Sequence, residues 1–208
     1  MASISPYKIT SDRLLDTLDN WDRLMNFGVQ LIACGGTALT LLDLKESTKD
    51  IDLVVPVVTE YEKLIKFLST IGYSEKGGGW AHPDDPLFLY QFWCGKRVFT
   101  TELLDSPLDA GKHIVIKEWP HIYLGALNLI DLITTKMFRG TGLDVDDCIT
   151  VFETGQVNAE ELFERYSEAA RYDLNPDKMM QNFVSFVDEL ALRDLVADEF
   201  VERVKSDK

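Results

Sequence analysis

The sequence predicts a fold of the α+β (mixed α/β) class, in which a mixed sheet with flanking helices is followed by an all-helical C-terminal part. In the first half, short β-branched runs alternate with segments of helical periodicity. Aromatic residues then recur at every second position of one run, which is typical of a strand. From Gly125 onward only helical periodicity remains. We therefore expect an α/β domain over residues 1–125 and a helical domain over residues 126–208.

The first elements follow from apolar spacing and helix-end signals. A helix is predicted from about Ser11 to Asn26, with Ser11 or Asp12 as its cap and Gly28 at its end. Val29–Ala33 is a short apolar run and predicts the first strand. The next residues are a glycine pair followed by good helix formers, so the order strand, tight turn, helix is expected.

The stretch from Cys34 to Val55 contains the residues that folding alone explains least well. The turn at Gly35 and Gly36 exposes backbone N–H groups at a helix N-terminus, where an anion such as a phosphate can bind. Asp50 and Asp52 then begin a strand, and side chains two residues apart share a face, about 7 Å from each other. Two such carboxylates repel unless a cation lies between them, and Mg²⁺ suits carboxylate and phosphate oxygens. Taken singly, each motif is also compatible with an ordinary turn or a solvent-facing strand.

The second part of the α/β half is predicted from similar patterns. A helix beginning at Thr59 and covering Tyr61–Thr70 is followed by turns rich in glycine and proline. Leu87–Trp93 predicts a strand with three aromatics on one face, interpreted as sheet core rather than a base-stacking platform. A further strand is expected over residues 96–104. Glu102 lies there between apolar residues, where a carboxylate costs free energy unless something binds it.

Two more strands and five helices complete the prediction. The strands are expected at His113–Lys117 and Ile122–Leu124. The helices have usable caps at Asn158 and Asn175. Their expected bounds are Ala126–Phe138, Leu143–Glu153, Ala159–Tyr172, Pro176–Leu190 and Ala191–Lys205.

Lys136 and Arg139 form a charged cluster at the start of the helical part. They are three residues apart, so they share one helical face that could meet phosphates. Asp144 and Asp147 follow closely and could instead pair with them in a salt-bridge network that joins two helices. The sequence leaves both interpretations open, and the two are compatible.

Composition and charge restrict the classes of function. The chain has 35 acidic and 21 basic side chains, a net charge of −14, so nonspecific binding of nucleic acid is disfavoured. Neither a membrane-spanning apolar run nor a signal peptide is present in the sequence, and a cytoplasmic protein is expected. Its three cysteines, Cys34, Cys94 and Cys148, are far apart and predict neither a disulfide framework nor a zinc site.

At these motifs the sequence resembles the nucleotidyltransferase superfamily that includes DNA polymerase β, and within it the abortive-infection toxin type. The resemblance rests on Gly35-Gly36-Thr37-Ala38-Leu39 and on Thr48-Lys49-Asp50-Ile51-Asp52, and it covers roughly residues 30–150. It implies a third metal-site carboxylate on a later strand, which we assign to Glu102, with Asp105 as the alternative. Relatives often carry arginine at the position of Glu46.

The resemblance further implies an enzyme that transfers a nucleoside monophosphate from an NTP to an acceptor hydroxyl. Asp50, Asp52 and Glu102 would hold Mg²⁺ or Mn²⁺. The β and γ phosphates would bind at the glycine turn and at Thr37, with Lys136 or Arg139 facing the pyrophosphate. The acceptor could be RNA, protein or a small molecule, and the chain could be the toxin-like half of a pair with a protein antitoxin. The alternative is a catalytically inactive nucleotide-binding or regulatory module with the same fold.

Overall fold

The computed structural model describes residues 8–206 and has a central seven-stranded mixed sheet. The strand order is β3-β4-β5-β2-β1-β9-β8. The strands are β1 (Val29–Ala33), β2 (Ile51–Val55), β3 (Ser74–Lys76), β4 (Gly79–His82), β5 (Asp85–Cys94), β6 (Arg97–Val98), β7 (Thr101–Glu102), β8 (His113–Glu118) and β9 (Ile122–Leu127). The helices are α1 (Ser11–Leu24), α2 (Gly35–Leu41), α3 (Val58–Thr70), α4 (Leu129–Arg139), α5 (Gly142–Phe152), α6 (Ala159–Ala170), α7 (Pro176–Ala191) and α8 (Asp198–Ser206). The predicted fold class is confirmed.

Strand β2 is central in the sheet and is buried along its whole length. It pairs antiparallel with β1 and parallel with β5. Helices α2 and α3 both pack against β1 and β2, which accounts for the apolar character of these two strands. The predicted order of strand, helix, strand, helix from Val29 to Thr70 is confirmed.

The aromatic residues of β5 belong to the sheet core, as expected. Phe88 and Tyr90 are buried, and the Tyr90 and Phe92 rings are stacked with their centroids 6.1 Å apart. Trp21 of α1 lies 4.7 Å from the Tyr90 ring, so α1 covers this aromatic face. Burial of such rings contributes far more to stability than an exposed platform would.

Several predicted boundaries were wrong, each for a local reason. The cap of α1 is Thr10, whose hydroxyl accepts the Arg13 N–H, and the helix ends at Leu24, before Gly28. Helix α4 begins at Leu129, because β9 continues through the residues that were assigned to its first turn. The last helix begins at Asp198. Residues 192–197 form a turn in which Asp194 adopts a positive φ of 57°.

The strand expected over residues 96–104 is also interrupted. Two short strands, β6 and β7, pair with each other and not with the seven-stranded sheet. Between them Phe99 has a φ of 53°, a left-handed conformation that bulky residues rarely adopt. Nothing in the local sequence marks this turn, because neither Phe99 nor Thr100 is a usual turn residue.

By their contacts, the described residues form two compact units. The first contains the described residues up to Arg97 together with Asp105–Leu127, and the second contains Val98–Leu104 and the described residues from Asn128 onward. The second unit is mainly helical, and its core includes the stacked rings of Tyr166 and Phe183, 4.5 Å apart. No helix between residues 8 and 206 has the length and apolar character needed to span a membrane.

Candidate functional site

The Asp-x-Asp motif is held in place by two threonine hydroxyls. Thr37, on α2, donates to the Asp50 carbonyl oxygen at 3.2 Å and accepts the Asp52 N–H at 2.9 Å. Thr48 donates to the same carbonyl at 3.0 Å. The Asp52 carbonyl in turn accepts the Cys34 N–H at 3.1 Å. The start of β2 is therefore fixed against the start of α2 by hydrogen bonds between neutral hydroxyl and backbone groups.

Both glycines of the turn have structural reasons to be glycine. Gly35 has a φ of 57°, where a side chain would strain the backbone. At Gly36 an added Cβ would come within 2.7 Å of Thr48 Oγ1. The glycine pair thus lets the loop before β2 approach the first turn of α2, and it brings the N–H groups of that turn close to the Asp-x-Asp motif.

The two carboxylates differ in exposure. Asp50 is half-buried, and within residues 8–206 its side chain has no ion-pair partner. Asp52 is only 7% exposed, and its Oδ1 atom is shielded from solvent. Asp52 therefore does not face open solvent. Its strand is central in the sheet, with Gln91 of β5 as its partner in register.

Thr37 was expected to bind phosphate, but its position in the structure does not suit that role. Its side chain is fully buried, and its hydroxyl proton is committed to the Asp50 carbonyl. A hydroxyl has one proton to donate, so this geometry favours a positioning role. Sequence reasoning did not assign a role to Thr48, although it stands only two residues before Asp50. The sequence feature that could have indicated this role is the presence of one threonine directly after the glycine pair and another two residues before Asp50.

The alternatives for the third carboxylate lie in different units. Glu102 is exposed and belongs to the second unit, so the idea that it is buried among apolar side chains is wrong. Asp105 belongs to the first unit, like Asp50 and Asp52, and lies 2.8 Å from the Lys112 ammonium. Within residues 8–206 neither residue belongs to a group of three or more His, Cys, Asp or Glu side chains that could hold a metal, so the assignment of the third carboxylate stays a prediction.

Lys136 and Arg139 take part in the salt-bridge network that was one of the two interpretations. Lys136 is 3% exposed, and its ammonium lies 2.7 Å from Asp147 and 3.7 Å from Asp144. Arg139 Nε donates to Asp144 at 2.8 Å, and its guanidinium lies 4.5 Å from the Phe99 ring centroid. The network joins α4 to α5 inside the second unit.

The charges of this network change the pKa of Asp144. Burial tends to raise its pKa, but hydrogen bonds from Arg139 and Thr141, with the charges of Arg139 and Lys136, outweigh burial and lower the pKa. Asp144 also closes a capping box with Thr141 at the start of α5. It is ionised near neutral pH and joins the helix cap to both cations.

The residues of the first unit suit a divalent cation shared with a ligand. Mg²⁺ is usually bound by one or two carboxylates and completed by phosphate oxygens and water, and Asp50 and Asp52 supply such a pair. Among residues 8–206 no group of three or more His, Cys, Asp or Glu side chains is arranged to hold a metal on its own. Glu46, where the sequence resemblance predicts arginine, is exposed, and its carboxylate lies 3.2 Å from the Lys8 ammonium.

No family model matches the chain, and no curated protein sequence matches it. Several solved structures, however, are similar to the chain. The crystal structure of ANT(2″)-Ia in complex with adenylyl-2″-tobramycin is similar with a TM-score of 0.51 and 11% identity, covering 77% of this chain and 97% of that one. A solution structure of the antibiotic-resistance factor ANT(2″)-Ia gives a TM-score of 0.49 and 13% identity, with 74% and 88% covered. A protein from H. pylori assigned as a nucleotidyltransferase gives 0.43 and 15%, with 94% and 92% covered.

The first of these similarities shows the fold. ANT(2″)-Ia is an aminoglycoside nucleotidyltransferase, and almost its whole length is covered. The chain therefore has a nucleotidyltransferase fold, and the resemblance to that superfamily is confirmed at the level of the fold. At 11% identity the similarity does not extend to substrate or mechanism.

Proposed function

We propose that this chain transfers a nucleoside monophosphate from an NTP to an acceptor hydroxyl and releases pyrophosphate. The observation that carries the proposal is the threonine-pinned start of β2. There the hydroxyls of Thr37 and Thr48 hold the backbone of Asp50 and Asp52 against the first turn of α2, and Asp50 has no ion-pair partner within residues 8–206. The nucleotidyltransferase fold supports the same reaction class.

The residues have distinct roles in this proposal. Asp50 and Asp52 would hold Mg²⁺ or Mn²⁺, and a bound ion would supply charge neutralisation for the triphosphate and activation of the acceptor oxygen. Gly35 and Gly36 offer backbone N–H groups to the β and γ phosphates. Thr37 keeps the motif in register, because its hydroxyl is bonded to the backbone on both sides of Ile51. A second ion would need a third carboxylate, either Asp105 or Glu102.

The direct test supplies each α-labelled NTP with Mg²⁺ and cell extract and follows the label into RNA, protein and small molecules. Label in one fraction that is lost with Asp52→Asn supports the proposal and names the acceptor class. ANT(2″)-Ia was solved with an adenylylated small molecule, so small acceptors belong in the test. Absence of label with Mg²⁺ and with Mn²⁺ would overturn transfer.

The second candidate is a catalytically inactive module that binds nucleotide. Glu46 favours it, because an exposed acid paired with Lys8 stands where the sequence resemblance predicts an arginine. Calorimetry with and without EDTA separates the two. NTP binding that Mg²⁺ strengthens, without transfer to any fraction, indicates the inactive module.

The toxin-like role and a protein antitoxin rest on the sequence resemblance alone. Inducing the chain in a bacterial host, with and without the neighbouring open reading frame, tests this part of the proposal. Growth arrest that needs Asp52 and is relieved by the neighbouring gene supports it. Normal growth under strong induction contradicts it.

A further inference from the structure

Gln91 stands beside Asp52 on the neighbouring strand of the sheet. Strands β2 and β5 are parallel, and Asp52 is paired with Gln91 in their register. Residues paired in this way point to the same face of the sheet, and adjacent strands are about 5 Å apart. The Gln91 carboxamide and the Asp52 carboxylate therefore leave the sheet side by side. None of the roles proposed above uses Gln91.

The residues around Gln91 do not account for a polar side chain at this position. Leu89 and Trp93 lie two residues away on either side of it along β5, so they share its face. The next residue of β2 on that face is Val54, which is fully buried. Asp52 and Gln91 thus form a polar pair within an otherwise apolar part of the sheet.

The Gln91 side chain is half-buried, and within residues 8–206 it has no hydrogen-bond or ion-pair partner. A carboxamide has two N–H donors and one oxygen acceptor, and leaving them unpaired in a partly desolvated position costs free energy. A bound ligand would remove that cost. In the same described range, Asp52 does not belong to a group of three or more His, Cys, Asp or Glu side chains that could hold a metal. The oxygen donor next to Asp52 on β5 is therefore a neutral amide.

We propose that Gln91 Oε1 is the third protein ligand of the divalent ion that Asp50 and Asp52 would hold. This inference rests on the proposed transfer reaction and names a further residue of its metal site. Amide oxygens, like carboxylate oxygens, suit Mg²⁺ and Mn²⁺. Since the amide adds no charge, the site has only the charges of its two carboxylates. The ion should therefore bind tightly only together with the phosphate oxygens of an NTP.

The first test measures Mn²⁺ binding to the full-length chain by electron paramagnetic resonance, with and without a non-hydrolysable NTP analogue. The unmodified chain should bind Mn²⁺ more tightly with the analogue. Gln91→Glu keeps the length of the side chain and adds a charged oxygen ligand, so it should raise the Mn²⁺ affinity without analogue about tenfold or more. Gln91→Met has no oxygen and should lower the Mn²⁺ affinity with analogue about fivefold.

Gln30 supplies a matched control. It is half-buried like Gln91 and lies on β1, two residues before Ile32, which is paired with Val54 and so shares the face of Asp52. Four positions separate Gln30 from the row of Asp52, a distance of about 13 Å along the strand. Gln30→Glu and Gln30→Met should each change the Mn²⁺ affinity less than about twofold.

A change in the softness of the ligand separates direct coordination from mere proximity. Thiolates select softer metal ions than oxygen ligands do. Gln91→Cys should therefore raise the ratio of Cd²⁺ affinity to Mn²⁺ affinity about tenfold or more, and Gln30→Cys should leave this ratio unchanged. Circular dichroism checks the folding of each variant. If the added charge of Gln91→Glu prevents folding, Gln91→Met and Gln91→Cys still decide the question.

Three results would overturn the inference while leaving the proposed function in place. The first is Mn²⁺ binding that needs Asp52 but is the same in all Gln91 variants. The second is an equal change with the Gln30 variants, which would show a general effect of an added charge or thiol. The third is weaker binding of the NTP analogue to Gln91→Met at unchanged Mn²⁺ affinity, which would mean that the amide donates to a phosphate. Absence of Mn²⁺ binding with and without analogue would overturn the metal site itself, and the proposed function with it.

Discussion

The start of β2 and the α4–α5 junction both carry charged motifs that resemble a nucleotide site, yet the fold uses the charges in opposite ways. At β2, neutral hydroxyls of Thr37 and Thr48 satisfy the backbone, and Asp50 has no ion-pair partner within residues 8–206. At the α4–α5 junction, Lys136 and Asp144 are nearly fully buried and neutralise each other. A charged motif indicates a ligand site most strongly when the protein builds the surrounding structure without consuming its charge.

The largest expected effect is at β2. Asp50→Asn and Asp52→Asn should each lower transfer by more than about 10³-fold, because a bound metal ion contributes several kcal/mol of charge stabilisation. Stability should hold in Asp50→Asn, whose side chain is half-buried. Label transfer and urea unfolding measure the two quantities. Asp43→Asn, an exposed acid between α2 and β2, is the control and should remain active.

A large loss of stability in Asp50→Asn would contradict this comparison. If Asp50→Asn lowers the free energy of unfolding by more than about 2 kcal/mol, the carboxylate belongs to the scaffold after all. The start of β2 would then use its charge for stability, as the α4–α5 junction does.

The next effect is expected at the buried cation. Lys136→Met should lower the free energy of unfolding by about 3 kcal/mol, since it leaves Asp144 and Asp147 without their shared partner in a buried network. NTP affinity of the folded protein should change little. A rise in the NTP dissociation constant at unchanged stability would instead assign Lys136 to the nucleotide.

Much of the fold could be predicted, because its signals are local. The strands β1 and β2 are continuous apolar runs, and the caps Asn158 and Asn175 stand where the sequence places them. The turn at Phe99 could not be predicted, because a left-handed phenylalanine depends on its tertiary surroundings. The turn before α8 was missed because Leu195 and Val196 continue the helical apolar pattern.

For the candidate site, the sequence predicted which residues take part but not how they contact one another. Residue type and spacing were enough to single out Asp50 and Asp52. The position of Thr37 was identified but its hydrogen bonds were not, since they join residues 13 and 15 positions apart. Such contacts form only when α2 and β2 are packed together.

The third carboxylate gives an effect of intermediate size. We expect Glu102→Gln to slow transfer about 10²-fold, as the assignment from the sequence predicts, and Asp105→Asn to do less, because the Asp105 carboxylate is already paired with the Lys112 ammonium at 2.8 Å. Initial rates at saturating NTP measure both effects. If Asp105→Asn alone abolishes activity, the third carboxylate is Asp105, and if neither variant matters, the site works with two acids.

A smaller effect is expected at Thr37. Thr37→Val removes two hydrogen bonds and should lower the free energy of unfolding by about 1–2 kcal/mol, while also reducing transfer by displacing the Asp-x-Asp motif. Thr37→Ser should restore both. If Thr37→Val weakens NTP binding at unchanged stability, the hydroxyl contacts phosphate, as the family resemblance suggests.

The smallest effect is a pH dependence that belongs to the α4–α5 junction. The folded state lowers the pKa of Asp144, so its contribution is fully present above the ordinary aspartate value of 3.8 and is lost as the pH falls through the lower folded value. The stability difference between the unmodified chain and Asp144→Asn should therefore stay constant above about pH 5 and shrink as the pH falls below about pH 4, because protonation removes the charge that Arg139 and Lys136 bind. Other acids titrate in both proteins and cancel. The corresponding difference for Asp146→Asn, on the exposed face of the same helix, should stay near zero throughout. A constant difference for Asp144→Asn would mean that its hydrogen bonds to Thr141, not its charge, stabilise the junction, and that the contrast with β2 is smaller than the ion pairs indicate.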